Sequence, residues 1–327
     1  MHALVELRSE GLYCPLGDFY IDPWRPVQRA VITHAHADHA RSGHQHYLAH
    51  SDAADIMRTR LGRKLSLQLL KYGERLKLGE IELSLHPAGH VLGSSQVRLS
   101  HKGNVWVISG DYRVQADASC EAFEPVLCDV FVTESTFALP IYRWEPQAQV
   151  IDQISAWWQN NAANGLYSVL YTYALGKAQR LAMALPEGPV WVHPAVDAMH
   201  HCYRLAGRKI PASPCWDSNH KPPAGSLILA PPASAASAVF SKLGAYEDAS
   251  VSGWMRLRGI RRRRALDRGF VISDHADWPG LLWAVRETGA QSVFVTHGQV
   301  DVLVRYLNEQ GFEAAPLRAT AWGEDAS

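Results

Sequence analysis

Residues 33–39 have the composition of a metal-binding loop. They read Thr-His-Ala-His-Ala-Asp-His, so three imidazoles and one carboxylate fall within six consecutive residues. Neutral imidazole and carboxylate are the ligands that zinc and its neighbouring divalent ions prefer. The rings of His34 and His36 can converge on one ion, while Asp38 and His39 turn towards another. The spacing predicts a metal site, and a polar surface loop is the alternative interpretation.

A β-strand is expected to position this loop, because the apolar, β-prone run 30–33 leads directly into it. The same pattern, an apolar run followed at once by a titratable residue, recurs five times along the chain. Any single case is equally well explained as a core histidine or a loop acid. The strands of layered sheets end along common edges, so several such residues are expected to meet at one site. The five residues are His90, Asp111, Glu134, His275 and His297.

Two further features lie near the loop. Asp22 ends a predicted strand and precedes Pro23, so its carboxylate can orient a ligand imidazole through the second ring nitrogen or can simply initiate a turn. Ser51 is predicted to cap a helix that has acids in its first turn. Seven basic residues between Arg58 and Lys77 could follow a phosphate backbone or form a solvated helix face.

The composition limits the classes of protein. A chain of 327 residues with 47% hydrophobic content can bury a large core. Lys plus Arg and Asp plus Glu both number 32, so affinity for a polyanion must come from a local patch. Five scattered cysteines without a CxxC pair argue against a disulfide framework. We find neither a signal-peptide pattern nor a membrane-length apolar segment, so the expected location is the cytoplasm, without a membrane partner.

The motifs resemble those of a known hydrolase superfamily. His34-x-His36-x-Asp38-His39, followed by Ala-Gly-His90 and Ser-Gly-Asp111, resembles motifs two to four of the metallo-β-lactamase superfamily. Asp22 matches its first-motif aspartate. The resemblance implies an α/β fold, the αββα metallo-β-lactamase sandwich.

The later motifs resemble those of the β-CASP nucleases. Their motifs A, B and C correspond to Glu134 in Thr-Glu-Ser-Thr, His275 in Ser-Asp-His-Ala-Asp and His297 in Val-Thr-His-Gly. Residues 175–179 resemble a β-CASP strand-to-helix turn. Residues 252–278 look most like the bacterial DNA-ligase-associated exonuclease family. The resemblance therefore implies a metallo-β-lactamase core of residues 1–140 and 256–327, an inserted α/β β-CASP domain of residues 141–255, and a cleft at their junction.

The resemblance also implies the chemistry. Two divalent ions, zinc with manganese as the alternative, would share Asp111 and a bridging water that becomes the nucleophilic hydroxide. His275 would protonate the leaving sugar oxygen and Glu134 would position it, although a buried His–carboxylate contact is the alternative. Asp38 is counted with the catalytic residues as well as the ligands. The ligand sets are His34, His36 and His90 for one ion, and Asp38, His39 and His297 for the other.

A dense arginine run favours a nucleic-acid substrate. Six guanidiniums fall within nine residues, and such a cluster suits phosphates. A DNA exonuclease associated with ligation or repair is the preferred function, and a DNA ligase or helicase in the same pathway is the expected partner. An RNA-processing exo- or endonuclease of the RNase J or polyadenylation-endonuclease type is the alternative. A nucleic-acid-binding pseudo-nuclease is the non-enzymatic interpretation, but every metal-ligand position of the motifs holds a His or an Asp. The predicted nucleic-acid contacts are Lys177, Arg256, Arg258, Arg261, Arg262, Arg263 and Arg264.

Overall fold

The chain is described by a computed structural model that covers residues 3–216, 220–235, 237, 240, 242–257 and 268–317. Its contacts divide it into two compact units, which are residues 1–142 with 275–327 and residues 143–274. The second unit is thus inserted into the first. The mixed α/β architecture agrees with the predicted fold class.

The first unit contains two β-sheets. The first sheet has six strands in sequence order. They are β1 (Glu6–Arg8), β2 (Gly11–Cys14), β3 (Phe19–Ile21), β4 (Arg29–Val31), β5 (His46–His50) and β6 (Leu67–Leu70). The second sheet has seven strands. They are β7 (Arg75–Leu78), β8 (Ile81–Pro87), β9 (Ser95–His101), β10 (Asn104–Ile108), β11 (Val130–Ser135), β17 (Ser292–Gly298) and β18 (Glu313–Pro316).

Side chains that alternate between the two faces of the second sheet explain how the first unit packs. Val130 and Val132 of β11 join a cluster that also contains Leu12 and Ile21 of the first sheet. Phe131, between them, faces the other way and packs with Leu281. Successive side chains of a strand point to opposite faces, so this sheet is covered by the other sheet on one side and by helices on the other. The helices of this unit are α1 (Ala54–Leu61), α5 (Trp278–Glu287) and α6 (Val300–Glu309).

Strand direction brings several loops to one edge of the second sheet. The order of that sheet is β18-β17-β11-β10-β9-β8-β7. β10 pairs in parallel with β11, and β11 with β17. β8 runs in the same direction, because β9 is antiparallel to both β8 and β10. The carboxyl ends of these four strands therefore lie at a common edge.

The second unit is built on a parallel five-stranded sheet of order β13-β14-β12-β15-β16. Both of its faces are covered by hydrophobic clusters, as parallel sheets require. The strands are β12 (Tyr167–Tyr171), β13 (Val190–Val192), β14 (Leu227–Ala230), β15 (Tyr246–Val251) and β16 (Arg268–Phe270). Among the described residues of this unit, the helices are α2 (Gln147–Ala163), α3 (Lys177–Ala184) and α4 (Pro194–Leu205). Across the described residues, no helix has both the length and the apolarity needed to cross a membrane.

Three local features differ from the sequence expectations. The insert was expected to end at residue 255, whereas the second unit continues to residue 274 because β16 pairs in parallel with β15. The apolar run that precedes His275 forms a strand only as far as Phe270. Ser51 does not cap its helix: a 3₁₀ turn, Ser51–Ala53, precedes α1, and the ring of His50 accepts the hydrogen bond from the backbone N–H of Asp52.

Candidate metal centre

The histidine loop follows β4 and is fixed at its first residue. Thr33 accepts a 2.7 Å hydrogen bond from the N–H of Ser95 at the start of β9, which joins the loop to the second sheet. The Asp22 carboxylate accepts from the Thr33 N–H at 2.8 Å and from its hydroxyl at 2.5 Å. The same hydroxyl lies 3.1 Å from Nδ1 of His34. Thr33 and Asp22 therefore set the position from which the imidazoles project.

Asp111 lies at the centre of the histidine cluster. It follows β10 through Gly110, whose φ of 56° and close approach to the Thr33 side chain leave no room for a Cβ. Its buried Oδ2 atom lies 3.5 Å from Nε2 of His34, 3.6 Å from Nε2 of His39 and 3.7 Å from Nε2 of His90. One carboxylate oxygen thus faces three imidazole nitrogens.

One group of donors has the geometry of a metal site. Ligand atoms of His34, His36, His90 and Asp111 all lie within 4.8 Å of one another. His36 Nδ1 and His90 Nε2 are 3.0 Å apart. Nε2 of His34 is buried and has no hydrogen-bond partner among the residues that the structure describes. A buried nitrogen of this kind is costly unless it is bound, so three nitrogens and one oxygen fit a divalent ion such as zinc.

The second predicted ligand set adjoins the first. Oδ2 of Asp38, whose side chain is 64% exposed, lies 3.6 Å from Nε2 of His39. The other ring nitrogen of His39 lies 2.7 Å from Asp22, which fixes the ring orientation. The ring of His297 stacks on that of His39 at a centroid distance of 5.5 Å. His297 has a φ of 56°, and its carbonyl accepts a hydrogen bond from Ser135.

Burial and neighbouring charges shift the pKa values of the clustered side chains. Burial lowers the pKa of His34 well below its ordinary value, and His39 and His90 lower it further. Burial raises the pKa of Asp111 to about 7 against the opposing effect of His39. Burial alone would lower the pKa of His39, but Asp111 and Asp22 outweigh it and raise this pKa to about 10. The proton on His39 thus lies between carboxylates, and a divalent cation bound there can replace its positive charge.

Glu134 and His275 form a pair beside this cluster. Both oxygens of the buried Glu134 face Nδ1 of His275, at 3.0 and 2.9 Å. Glu134 also accepts from the Tyr112 N–H at 2.8 Å and from the Thr136 hydroxyl at 2.5 Å. Burial would raise the pKa of Glu134, but His275 and the hydrogen bonds from Thr136 and Tyr112 together outweigh this effect, and the pKa is lowered. The His275 side chain is 22% exposed, and its ring centroid lies 4.8 Å from that of His90.

The predicted nucleic-acid contacts fall into three groups. Lys177 is buried at the start of α3, and its Nζ lies 3.0 Å from Oδ2 of Asp274. Arg256 is partly exposed and lies 3.8 Å from Glu145. Five arginines, Arg258 and Arg261, Arg262, Arg263 and Arg264, lie outside the described residues.

The sequence did not identify several residues that support these groups. Thr33 immediately precedes His34, so its position in the motif was the available signal. Arg60 donates to the carbonyl of Ala35, inside the histidine loop, at 2.5 Å. Arg180 of α3 contacts Asp274, and no local pattern pairs residues this far apart.

The chain resembles several proteins over different lengths. It is 32% identical to a "Probable DNA ligase" of Opitutus terrae over 94% of this chain and 30% of that relative. It is 25% identical to "Ribonuclease TTHA0252" of Thermus thermophilus over 53% of this chain and 48% of that relative. It is 29% identical to "Endoribonuclease YSH1" of Gibberella zeae over 37% of this chain and 15% of that relative. The chain thus spans less than half the length of each relative.

A solved structure shares the fold. It is described as a protein of unknown function from Enterococcus faecalis V583, and the two superpose with a TM-score of 0.61 over 90% of this chain and 80% of that one. Their sequences are 13% identical, so the likeness concerns the fold alone. A scan against protein-family models finds no match.

Proposed function

We propose that this chain is a metal-dependent nuclease of the metallo-β-lactamase and β-CASP type. The sequence relatives point to that family, through a DNA ligase and two kinds of ribonuclease. In this proposal the first unit is the αββα core and the second is the β-CASP insert. The ligand assignment stays as the motifs imply: one ion is held by His34, His36 and His90, the other by Asp38, His39 and His297, with Asp111 shared.

The observation that carries the proposal is the arrangement of nitrogens around Asp111. His34, His39 and His90 each direct Nε2 towards the same carboxylate oxygen, at 3.5–3.7 Å. Distances of this size are too long for good hydrogen bonds, yet they leave space for cations on either side of Asp111, one beside His34 and His90 and one beside His39. Zinc is the proposed metal, because imidazole and carboxylate suit it, and manganese is the alternative.

In phosphodiester hydrolysis, side chains of this protein would orient the metal ligands and protonate the leaving group. Divalent ions, when bound, neutralise charge on a phosphate and lower the pKa of water. Asp22 keeps the His39 ring in a fixed orientation. His275 is accessible to solvent, and its Nδ1–H faces Glu134. As an imidazolium the ring holds a second proton on Nε2, and it can pass that proton to a leaving alkoxide as general acid and become neutral. Glu134 favours the charged imidazolium by supplying an adjacent negative charge.

DNA is the proposed substrate, in an exonuclease that works beside ligation or repair. This preference is supported by the DNA ligase relative, whose match extends over 94% of this chain. RNA cleavage is the second candidate, and it is supported by the ribonuclease and endoribonuclease relatives. A DNA ligase or helicase acting in the same pathway is the proposed partner. The arginines of residues 256–264 are the proposed phosphate contacts.

A panel of end-labelled oligonucleotides tests the function. Single- and double-stranded DNA and RNA of one sequence would be digested with zinc or manganese, and with a chelator as the control. The proposal expects metal-dependent shortening of DNA from one end. Equal or faster cleavage of RNA would favour the second candidate. Intact substrates under every metal condition would contradict the nuclease assignment.

A further inference from the structure

A buried ion cluster lies at the start of α3 in the second unit. The Asp274 carboxylate contacts two cations: Oδ2 is 3.0 Å from Nζ of Lys177, and Oδ1 accepts a hydrogen bond from the guanidinium of Arg180. All three side chains are buried. Gly176 begins the helix with a φ of 89°, and its N–H donates to the Gln179 side chain at 2.7 Å. The turn that presents both cations is therefore held by its own hydrogen bonds.

We propose that Lys177 and Arg180 are positioning residues for His275, acting through Asp274. This inference rests on the proposed nuclease function. Asp274 is the last residue of the second unit, and His275, the next residue in the chain, is the first of the first unit. A trans peptide fixes consecutive Cα atoms about 3.8 Å apart, so immobilising Asp274 restricts where the His275 backbone can lie.

The chain after His275 has anchors of its own. Ala276 donates its N–H to the Tyr112 carbonyl at 2.7 Å. Asp277 caps α5 by accepting from the Gly280 N–H at 3.0 Å. Residues 271–274, between the end of β16 and His275, have irregular backbone. We infer that the ion pairs of Asp274 fix the chain before His275, as the hydrogen bonds of Ala276 and Asp277 fix the chain after it.

The chemistry of the cluster suits a fixed support. A guanidinium stays charged at all accessible pH values and gives directional hydrogen bonds, while the lysine ammonium adds a second charge to the other oxygen. A general acid loses efficiency when its nitrogen is displaced by as little as about 1 Å from the proton acceptor. The proposal therefore assigns Lys177 to the support of His275 and removes it from the phosphate contacts.

Leaving-group dependence tests the proposal. The wild type and the variants Lys177→Gln and Arg180→Gln would be assayed with a dinucleotide, whose leaving alkoxide needs a proton. They would also be assayed with a 4-nitrophenyl phosphodiester, whose leaving phenolate does not. We expect kcat on the dinucleotide to fall about 10- to 100-fold, with KM changed less than about threefold and the aryl ester nearly unaffected. Arg180→Lys, which keeps the charge, should restore part of the dinucleotide rate.

A matched control separates positioning from stability. Trp157 is also buried in the second unit and donates to Glu247 at 2.9 Å, so Trp157→Phe removes a hydrogen bond without touching Asp274. It should lower the unfolding midpoint while leaving the ratio of the two substrate rates unchanged. Equal losses on both substrates in the Lys177 and Arg180 variants, or no loss on either, would overturn the proposal. If Lys177→Gln or Arg180→Gln does not fold, Arg180→Lys replaces them in the test. A ratio of dinucleotide rate to aryl ester rate equal to that of the wild type would then overturn the proposal. A wild type that cleaves neither substrate would instead refute the nuclease function.

Discussion

The two units each bury a cluster of titratable side chains, and the clusters differ in where the positive charge comes from. In the first unit, Asp111 is surrounded by the imidazoles of His34, His39 and His90, which are donors that a cation can share. In the second unit, Asp274 is bound by Lys177 and Arg180. We propose that a metal ion completes the first cluster, whereas the second already contains its cations.

This difference assigns different roles to chemically similar carboxylates. A buried charge is stable only when it is paired or ligated. Asp274 obtains this pairing within the chain and can act as a structural support. Asp111 obtains only part of it from His39, and burial raises its pKa to about 7. Substitutions that remove these charges should therefore have different effects in the two clusters.

The largest expected effect follows from replacing Asp111. Asp111→Ala should abolish phosphodiester cleavage and lower the metal content, because this carboxylate is the one proposed to contact both ions. Metal analysis of the purified protein and a cleavage assay measure both consequences. Asp274→Asn is the matched control, since it neutralises a buried carboxylate that has built-in cations, and its metal content should equal that of the wild type. Near-wild-type turnover in Asp111→Ala would refute the shared-ligand assignment.

A second prediction separates the two histidines that the later motifs supply. His275→Ala should reduce single-turnover cleavage by about 10²- to 10⁴-fold with metal content retained, because this ring is proposed to act on the leaving group. His297→Ala should reduce metal content. Glu134→Gln should resemble His275→Ala in milder form. Loss of metal in His275→Ala together with full occupancy in His297→Ala would interchange the two roles.

The third prediction concerns stability of the second cluster. Lys177→Met removes one of the two buried cations of Asp274. Because Arg180 still compensates the carboxylate, the cost should be about 3 kcal/mol, the lower end of the range for breaking a buried pair. Arg305→Gln removes the exposed Arg305–Glu309 pair, which should contribute less than about 0.5 kcal/mol. Urea unfolding of both variants measures the difference. Equal small effects would show that the Asp274 cluster is not held rigidly.

The smallest effect is a pH dependence at a lone imidazole of the second unit. His200 is buried in α4, and neither ring nitrogen has a hydrogen-bond partner within the described part of the chain. Burial and, secondarily, Arg204 lower its pKa from 6.5 to about 4. The unfolded chain then binds a proton that the folded chain does not. Stability should therefore be complete above about pH 6.5 and fall by up to about 3 kcal/mol as the pH drops towards 4.

His200→Leu tests this dependence, because it removes the titrating group at similar volume. Urea midpoints measured between pH 4 and pH 7 should fall less steeply with acidification in the variant than in the wild type. If the urea midpoints of the variant and the wild type depend on pH with the same slope, His200 has the same pKa in the folded and unfolded chains, which would contradict the prediction.

Sequence patterns located the first cluster because its residues carry local signals. His34, His36, Asp38 and His39 are contiguous, and His90 and Asp111 directly follow apolar runs that form β8 and β10. The parallel directions of these strands then bring their ends to one edge. Residue type, spacing and strand patterning together were sufficient to predict which side chains the structure places near one another.

The second cluster had no such signal. Arg180 and Asp274 are separated by 94 positions, and an arginine in a helix is usually a solvated side chain. The sequence predicts Lys177 as a phosphate contact because a sequence does not report burial, and the side chain is buried. The end of β16 and the extension of the second unit to residue 274 depend on pairing with β15, which is likewise a long-range property.

Anomalous diffraction at the zinc edge, from crystals grown with zinc, tests whether Asp111 is shared by two metal ions. We expect two peaks in the first unit on either side of Asp111. One should lie among His34, His36 and His90, and the other among Asp38, His39 and His297. No peak within this cluster, or zinc bound only elsewhere on the chain, would contradict it.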